Sequence, residues 1–188
     1  MTLIQTLGAR LRQPLARFAR DTRGTVAIEA VVMFPILIWG YLGMFTFYDM
    51  VRQYDINEKA AFTVADMLSR ETTAIDDTYI NGAQTLYEYL ARVNDGTAIR
   101  ISELRWTEDP DYFKVDWSEA RGSKTALTDD DVKNWTNILP IMPEDERIIL
   151  VETWTTYELP FRIGMEDFPI KTFVFVRPRF APKVTFSS

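Results

Sequence analysis

The feature that most constrains this 188-residue chain is a run of uncharged, mostly apolar residues from Ala30 to Tyr48. As a helix rising 1.5 Å per residue, these 19 residues extend about 28 Å, close to the roughly 30 Å apolar core of a bilayer. Pro35 lies inside the run, and in lipid a proline kinks a helix rather than ending it. We therefore predict that residues 25–48 span a membrane. Glu29 directly precedes the run, and a carboxylate at that depth costs a few kcal/mol, which indicates a partner.

The composition argues against an enzyme. The chain has neither cysteine nor histidine, so it lacks thiolate ligands, disulfides and the commonest general base. It also lacks a P-loop, a G-x-S-x-G elbow and a dinucleotide glycine motif. The acidic triplet Asp129–Asp131 has neither the spacing nor the glycine of an EF-hand loop, and it is better explained as the start of a helix. We predict no catalytic residue, no metal and no cofactor.

The charge is unevenly distributed along the chain. Residues 1–23 carry five arginines against Asp21, about +4, and because the whole chain is −6, residues 24–188 carry about −10 (−6 minus +4). A basic segment before an apolar run is typical of a cytoplasmic N-terminus followed by an exported domain. Residues 1–20 fit either an amphipathic helix on the inner leaflet or a disordered leader. The acidic remainder argues against binding nucleic acid.

The helical pattern continues beyond the apolar run, so we predict one helix from about Thr25 to Arg70. Residues 49–70 would be its amphipathic continuation, with Asn57 and Glu58 interrupting the apolar face. Packing of this face against the following domain is favoured over a coiled-coil seam with another chain. The predicted apolar face consists of Phe47, Met50/Val51, Tyr54, Ala61, Val64/Ala65 and Leu68.

Residues 71–188 predict an exported α+β domain, in which a helix precedes a mainly antiparallel sheet and a further short helix is inserted. A loop over 71–77 leads to a helix over Tyr79–Val93 that Asn94-Asp95-Gly96 would end. Aromatic residues at strand spacing, including Trp106, Trp117 and Trp154, are predicted to form the core. The predicted strands are Ala98–Trp106, a segment over Phe113–Trp117, Ile148–Tyr157, Lys171–Val176 and a short edge strand, Val184–Phe186. In the second strand, Phe113, Val115 and Trp117 are predicted to share one face. A helix capped by Thr128 is predicted over Asp129–Ile138.

The residues around Glu29 do not form an ordinary secretory signal, because the apolar run is too long and no small-residue cleavage site follows it. The sequence reads Arg23-Gly24-Thr25-Val26-Ala27-Ile28-Glu29-Ala30, and Pro35 lies six residues after Glu29. This pattern, over roughly residues 18–50, resembles the TadE/TadF-like minor pilins, or pseudopilins, of the tight-adherence (Tad) type IV pilus. Ala30 stands where that family commonly has phenylalanine, and Trp39-Gly40-Tyr41 is more polar than its usual aliphatic run.

The resemblance implies that a prepilin peptidase in the inner membrane cuts after Gly24, next to Arg23, and removes residues 1–24. Thr25 would then carry a new α-amine, which Glu29 of the same or a neighbouring subunit would neutralise. Pro35 would be a tolerated kink or a loosened point for subunit packing. The implied partners are the peptidase, other pilin-like subunits, the inner-membrane assembly platform and the bilayer, with residues 71–188 in the periplasm or in an extracellular pilus.

Two other hypotheses remain open on the sequence alone. One is an uncleaved single-pass scaffold or adaptor of an envelope secretion complex, in which Glu29 reaches the headgroups and the arginines only fix topology. The other is a type II secretion pseudopilin, a family that usually places phenylalanine directly after the cleaved glycine. The state of the N-terminus distinguishes the processed subunit from the scaffold.

Overall fold

The structure is a computed structural model, and it describes residues 24–93, 96–108, 111–161, 164 and 166–187. The chain divides into two compact units, Met1–Phe45 and Thr46–Ser188. Helix α1, Thr25–Ser69, begins in the first unit and ends in the second. The single helix predicted from Thr25 to Arg70 is therefore confirmed to within one residue.

The second unit is an α+β domain built on an antiparallel sheet, as the sequence predicts. The four strands lie in the order β2-β1-β3-β4, and every neighbouring pair is antiparallel. The elements after α1 are α2 (Asp77–Ala91), β1 (Ala98–Glu108), β2 (Asp111–Arg121), α3 (Asp129–Val132), a 3₁₀ turn (Trp135–Asn137), β3 (Arg147–Tyr157) and β4 (Phe168–Val176).

The core lies on both faces of the sheet. One face carries apolar side chains such as Ile99, Ile101 and Val151, which form a buried cluster with the end of α1 and with α2. The other face carries Leu104 and Leu150 among others, and it is covered by the segment that contains α3 and the 3₁₀ turn. Alternate strand residues point to opposite faces, so both faces of this sheet are apolar over part of their length.

A β-bulge corrects the prediction for β2. Glu103 on β1 pairs with Trp117, whereas Leu104 pairs with Val115, so Asp116 is the extra residue. Because one inserted residue reverses the alternation of side chains, Val115 packs in the second cluster and Trp117 packs in the first. The predicted single face holding Phe113, Val115 and Trp117 is therefore wrong, since Trp117 lies on the opposite side.

The predicted helix over Asp129–Ile138 is also wrong in length. Its start is correct, because the Asp131 carboxylate accepts hydrogen bonds from the Thr128 N–H at 2.9 Å and from the Thr128 hydroxyl at 2.7 Å. The helix ends at Val132, and after a short break the chain forms the 3₁₀ turn Trp135–Asn137. Tight 3₁₀ turns are common where short helices end.

Two features near the ends of elements differ from the prediction. The left-handed residue that ends α2 is Arg92, with φ of 58°, whereas Asn94 and Asp95 lie outside the described residues. Val184–Phe186 is not an edge strand of the sheet. Phe186 forms an isolated parallel bridge with Ile75, in the loop between α1 and α2.

The buried face of α1 differs from the predicted one before Asn57 and agrees with it afterwards. Ala61, Val64 and Leu68 are buried in the first cluster, as predicted. Phe47, Val51 and Tyr54 are exposed instead. Thr46 and Asn57 are buried on this part of the helix, so polar side chains occupy the face that contacts the domain.

Candidate functional site

Three of the predicted processing and assembly residues, Gly24, Thr25 and Glu29, lie at or directly before the start of α1. The helix begins at Thr25, directly after Gly24. A Cβ added to Gly24 would meet no described atom within 4 Å, so packing against the described residues does not require a glycine there. Arg23 and the rest of the basic leader lie outside the described residues.

Glu29 is exposed on the first turns of α1. It is the only charged residue between Gly24 and Tyr48, and apolar neighbours one turn away, Val32 and Met33, line a shallow surface hollow with it. Residues 25 and 29 are four apart, so they occupy the same side of the helix about 6 Å apart along its axis. The side chain of Glu29 is thus within one turn of the predicted new amine.

The apolar half of α1 is long and apolar enough to cross a membrane, and none of its most apolar window is buried. Large side chains such as Val31, Phe34 and Leu37 are more than half exposed. A core helix of a water-soluble domain would bury such side chains, since each is worth about 1.5–3 kcal/mol when removed from water. This surface is suited to lipid or to other apolar helices.

Pro35 lies inside α1, and the helix continues through it. A proline has no N–H, so the carbonyl of Val31 loses its partner four residues on. The helix is therefore weakened at one point without being interrupted.

The second half of α1 is fixed to the domain by polar contacts that sequence reasoning missed. The Tyr157 hydroxyl donates to a carboxylate oxygen of Asp49, and the Gln53 amide donates to the Ala91 carbonyl at 2.8 Å. Burial, the hydrogen bond to Asp49 and its negative charge raise the pKa of Tyr157 to about 12. The only sequence signal for this attachment is that polar residues interrupt an apolar helix face. Once that face is buried, these polar side chains need hydrogen-bond partners.

The C-terminal segment is held at the bulge by a second polar cluster. The Val184 N–H donates to Glu103 Oε1 at 2.7 Å, and Trp117 Nε1 donates to the Val184 carbonyl at 2.6 Å. Glu103 is 1% exposed. The pKa of Glu103 is raised to about 7, chiefly by burial and also by the charge of Asp116, against the opposing effect of hydrogen bonds from Val184 and Trp117 and of the charge of Arg147.

The acidic triplet has structural contacts. Asp129 Oδ1 accepts a hydrogen bond from the Val115 N–H at 2.8 Å, and Asp131 caps α3. Hydrogen bonds from Thr128 lower the pKa of Asp131. Within the described residues, no group of three His, Cys, Asp or Glu side chains is arranged to hold a metal ion.

Comparison with known proteins gives no relative. No family model, no curated protein sequence and no solved structure matches this chain.

Proposed function

We propose that this chain is a non-catalytic minor pilin-like subunit of a Tad-type pilus, made as a single-pass inner-membrane precursor and cleaved after Gly24. The observation that carries the proposal is the placement of Glu29 five residues after Gly24, at the start of an exposed apolar helix. The processed subunit would take part in pilus initiation and adherence, with its α+β domain in the periplasm until assembly.

The spacing has a physical purpose in such an assembly. Cleavage after Gly24 creates a cationic amine on Thr25, which must enter an apolar helix bundle when the subunit leaves the bilayer. An unpaired charge there is costly, and a neighbouring carboxylate converts two costly charges into one ion pair. A subunit that slips along the bundle would leave both charges unpaired, so Glu29 would also set the axial register.

The exposed surface of α1 supports the same proposal. Beyond Tyr48, in the part of α1 that belongs to the second unit, Val51, Tyr54 and Phe62 remain about half exposed although the opposite face packs in the core. These side chains would be covered by neighbouring subunits once the chain leaves the membrane. Among the described residues, no atom lies within 4 Å of a Cβ added to Gly24, which suits a position that must enter a protease cleft.

N-terminal sequencing of the protein recovered from membranes tests the processing step. In cells that contain the prepilin peptidase we expect the sequence to start at Thr25, and in cells without it at Met1. An intact Met1 in both strains would favour the uncleaved scaffold and contradict the proposal.

Incorporation into sheared pili tests the role of Glu29. We expect Glu29→Ala to be cleaved normally but to be depleted from pili by at least about a hundredfold, since breaking a buried ion pair costs about 3–5 kcal/mol. Asp55→Ala is the matched control, because Asp55 is an exposed acid on the same helix but outside its apolar half. Equal depletion of both variants would mean that assembly needs negative charge anywhere on α1, and it would contradict a specific role for Glu29.

A further inference from the structure

A cavity of about 440 Å³ opens at one end of the sheet within the second unit. Its volume is in the range of sites that bind small molecules or parts of them. Three parts of the fold contribute to it, namely α1, the end of α2 and the paired ends of β3 and β4. The lining residues are Gln53, Arg92, Val93, Thr155, Thr156, Tyr157, Glu158 and Ile170.

The hydroxyl of Thr155 in this lining lacks a hydrogen-bond partner within the described part of the chain. The residue is 5% exposed, so water reaches it poorly. An unsatisfied buried hydroxyl costs free energy that a valine of nearly the same shape would avoid. A polar group kept at such a cost beside a cavity indicates a ligand that accepts its hydrogen bond.

Arg92 lines the same cavity and carries a cationic side chain. It has φ of 58°, a left-handed conformation that an arginine adopts only against a steric penalty. Its backbone N–H ends α2 by donating to the Glu88 carbonyl. Among the ion pairs formed by described residues, Arg92 takes part in none.

The lining also contains one carboxylate, Glu158. An arginine with a hydroxyl is suited to a phosphate, because guanidinium and O–H groups both donate to phosphate oxygens. A carboxylate in the same lining favours a ligand that carries an ammonium group as well. The lining therefore fits a phosphate diester joined to an amine.

The position of the cavity along the chain suggests the source of such a ligand. Gln53 follows Tyr48, the last residue of the uncharged run, by five residues, which is about 8 Å along one helix. The headgroup layer beyond each side of the apolar core is of similar depth, about 5–7 Å. Phe161 and Phe168, in and after the β3–β4 connection, are 41% and 42% exposed, as suits side chains at a membrane interface.

We infer that this cavity binds a phospholipid headgroup, with its phosphate on Arg92 and Thr155 and, in phosphatidylethanolamine, its ammonium group on Glu158. The inference depends on the proposed membrane anchor. It assigns to the domain a contact with lipid that would hold the subunit at the membrane surface before assembly.

Native mass spectrometry of the full chain released from nanodiscs tests the inference. In nanodiscs of phosphatidylcholine with phosphatidylethanolamine, we expect the wild-type chain to retain phosphatidylethanolamine. Arg92→Gln and Thr155→Val should each lower retention about tenfold, the usual effect of losing one hydrogen bond to a charged group. Glu158→Gln should lower retention of phosphatidylethanolamine. In nanodiscs where phosphatidylglycerol, which has no amine, replaces phosphatidylethanolamine, the same variant should retain phosphatidylglycerol like the wild type.

Two controls separate binding from folding and from general charge. Arg52 is an exposed arginine on α1 outside the cavity lining, and Arg52→Gln should retain lipid like the wild type. Thr155→Val should unfold at the same or a higher temperature than the wild type while losing lipid, because it removes an unsatisfied hydroxyl. If Thr155 had only a structural role, loss of bound lipid and loss of thermal stability would occur together in this variant.

The remaining outcomes are distinct. Wild-type retention by Arg92→Gln and Thr155→Val would overturn the inference and leave the proposed function untouched. Failure of the wild-type chain to insert into nanodiscs would overturn both. Displacement of the bound lipid by inorganic phosphate at equal concentration would assign the site to a free anion instead of a headgroup.

Discussion

The Tyr87 hydroxyl donates a hydrogen bond of 2.6 Å to Asn57 Oδ1, and both residues are fully buried. The Thr153 hydroxyl donates to the Tyr87 oxygen at 2.9 Å and lies 2.6 Å from the Thr172 hydroxyl. Asn57 Nδ2 in turn donates to the Gln53 carbonyl at 2.7 Å. One buried polar chain therefore connects α1, α2, β3 and β4.

Tyr87→Phe should destabilise the domain by about 1–3 kcal/mol, because it leaves the Asn57 amide oxygen buried without a donor. Thermal unfolding of the full chain in detergent micelles, followed by circular dichroism, measures the change. Tyr89→Phe is the control, since Tyr89 lies on the same helix and is 80% exposed. The double variant Tyr87→Phe, Asn57→Leu should be less destabilised than the sum of the single variants, and simple additivity would contradict the coupling.

The parts of the fold that sequence predicts well are those set by local pattern. The extents of α1 and β3 and the C-terminal end of β4 follow from apolar periodicity and β-branched content, both of which are local. The predicted start of β4 is wrong, because the strand begins at Phe168 and not at Lys171. The spacing of Gly24 and Glu29, on which the proposed function depends, is likewise visible in the sequence alone.

The parts that sequence misses depend on distant partners. Asn57 is buried because Tyr87, 30 residues later, satisfies its amide, so hydrophobicity alone assigns the buried face of α1 before Asn57 to the wrong side chains. The bulge at Asp116 carries no glycine, and its pairing register is fixed only against β1. The cavity lining comes from α1, α2, β3 and β4, so no single segment of sequence reveals it.

Glu103 should make stability depend on pH. Its pKa is raised from 4.5 to about 7, chiefly by burial, so the folded state favours the protonated form. The resulting stabilisation is complete below about pH 4.5 and is lost as the pH rises through about 7. As the pH rises from 4.5 to 8, we expect ionisation of Glu103 to lower the free energy of unfolding by about 1–3 kcal/mol.

Comparison with Glu103→Gln isolates this contribution, because glutamine resembles the protonated acid. The variant should be more stable than the wild type at pH 8 and similar to it at pH 4.5, as measured by thermal unfolding in micelles. Glu119→Gln, a partly exposed acid on the neighbouring strand, should leave the pH dependence unchanged. Parallel pH profiles for wild type and Glu103→Gln would refute the role of Glu103.

The same substitution at two glycines should have opposite effects. Gly122 has φ of 83°, and an added Cβ would lie 2.6 Å from the Thr97 carbonyl oxygen, so Gly122→Ala should destabilise by about 2 kcal/mol or more. Gly82 lies inside α2 with open space around it, so Gly82→Ala should stabilise by about 0.5–1 kcal/mol. If Gly122→Ala shifted the unfolding temperature as Gly82→Ala does, the turn at Gly122 would have to accommodate a Cβ without strain, contrary to this prediction.

Substitution of Gly24 should change processing without changing stability. A side chain at the cut site obstructs close approach of a peptidase to the backbone, whereas no atom of the described residues lies within 4 Å of a Cβ there. Gly24→Arg should therefore accumulate as uncut precursor, visible as a slower band on a denaturing gel, with an unchanged unfolding temperature. Gly40→Ala is the control, because Gly40 lies in the same helix with equally open surroundings and should be cut normally. Normal cleavage of Gly24→Arg would falsify the assignment of residues 1–24 as a processed leader.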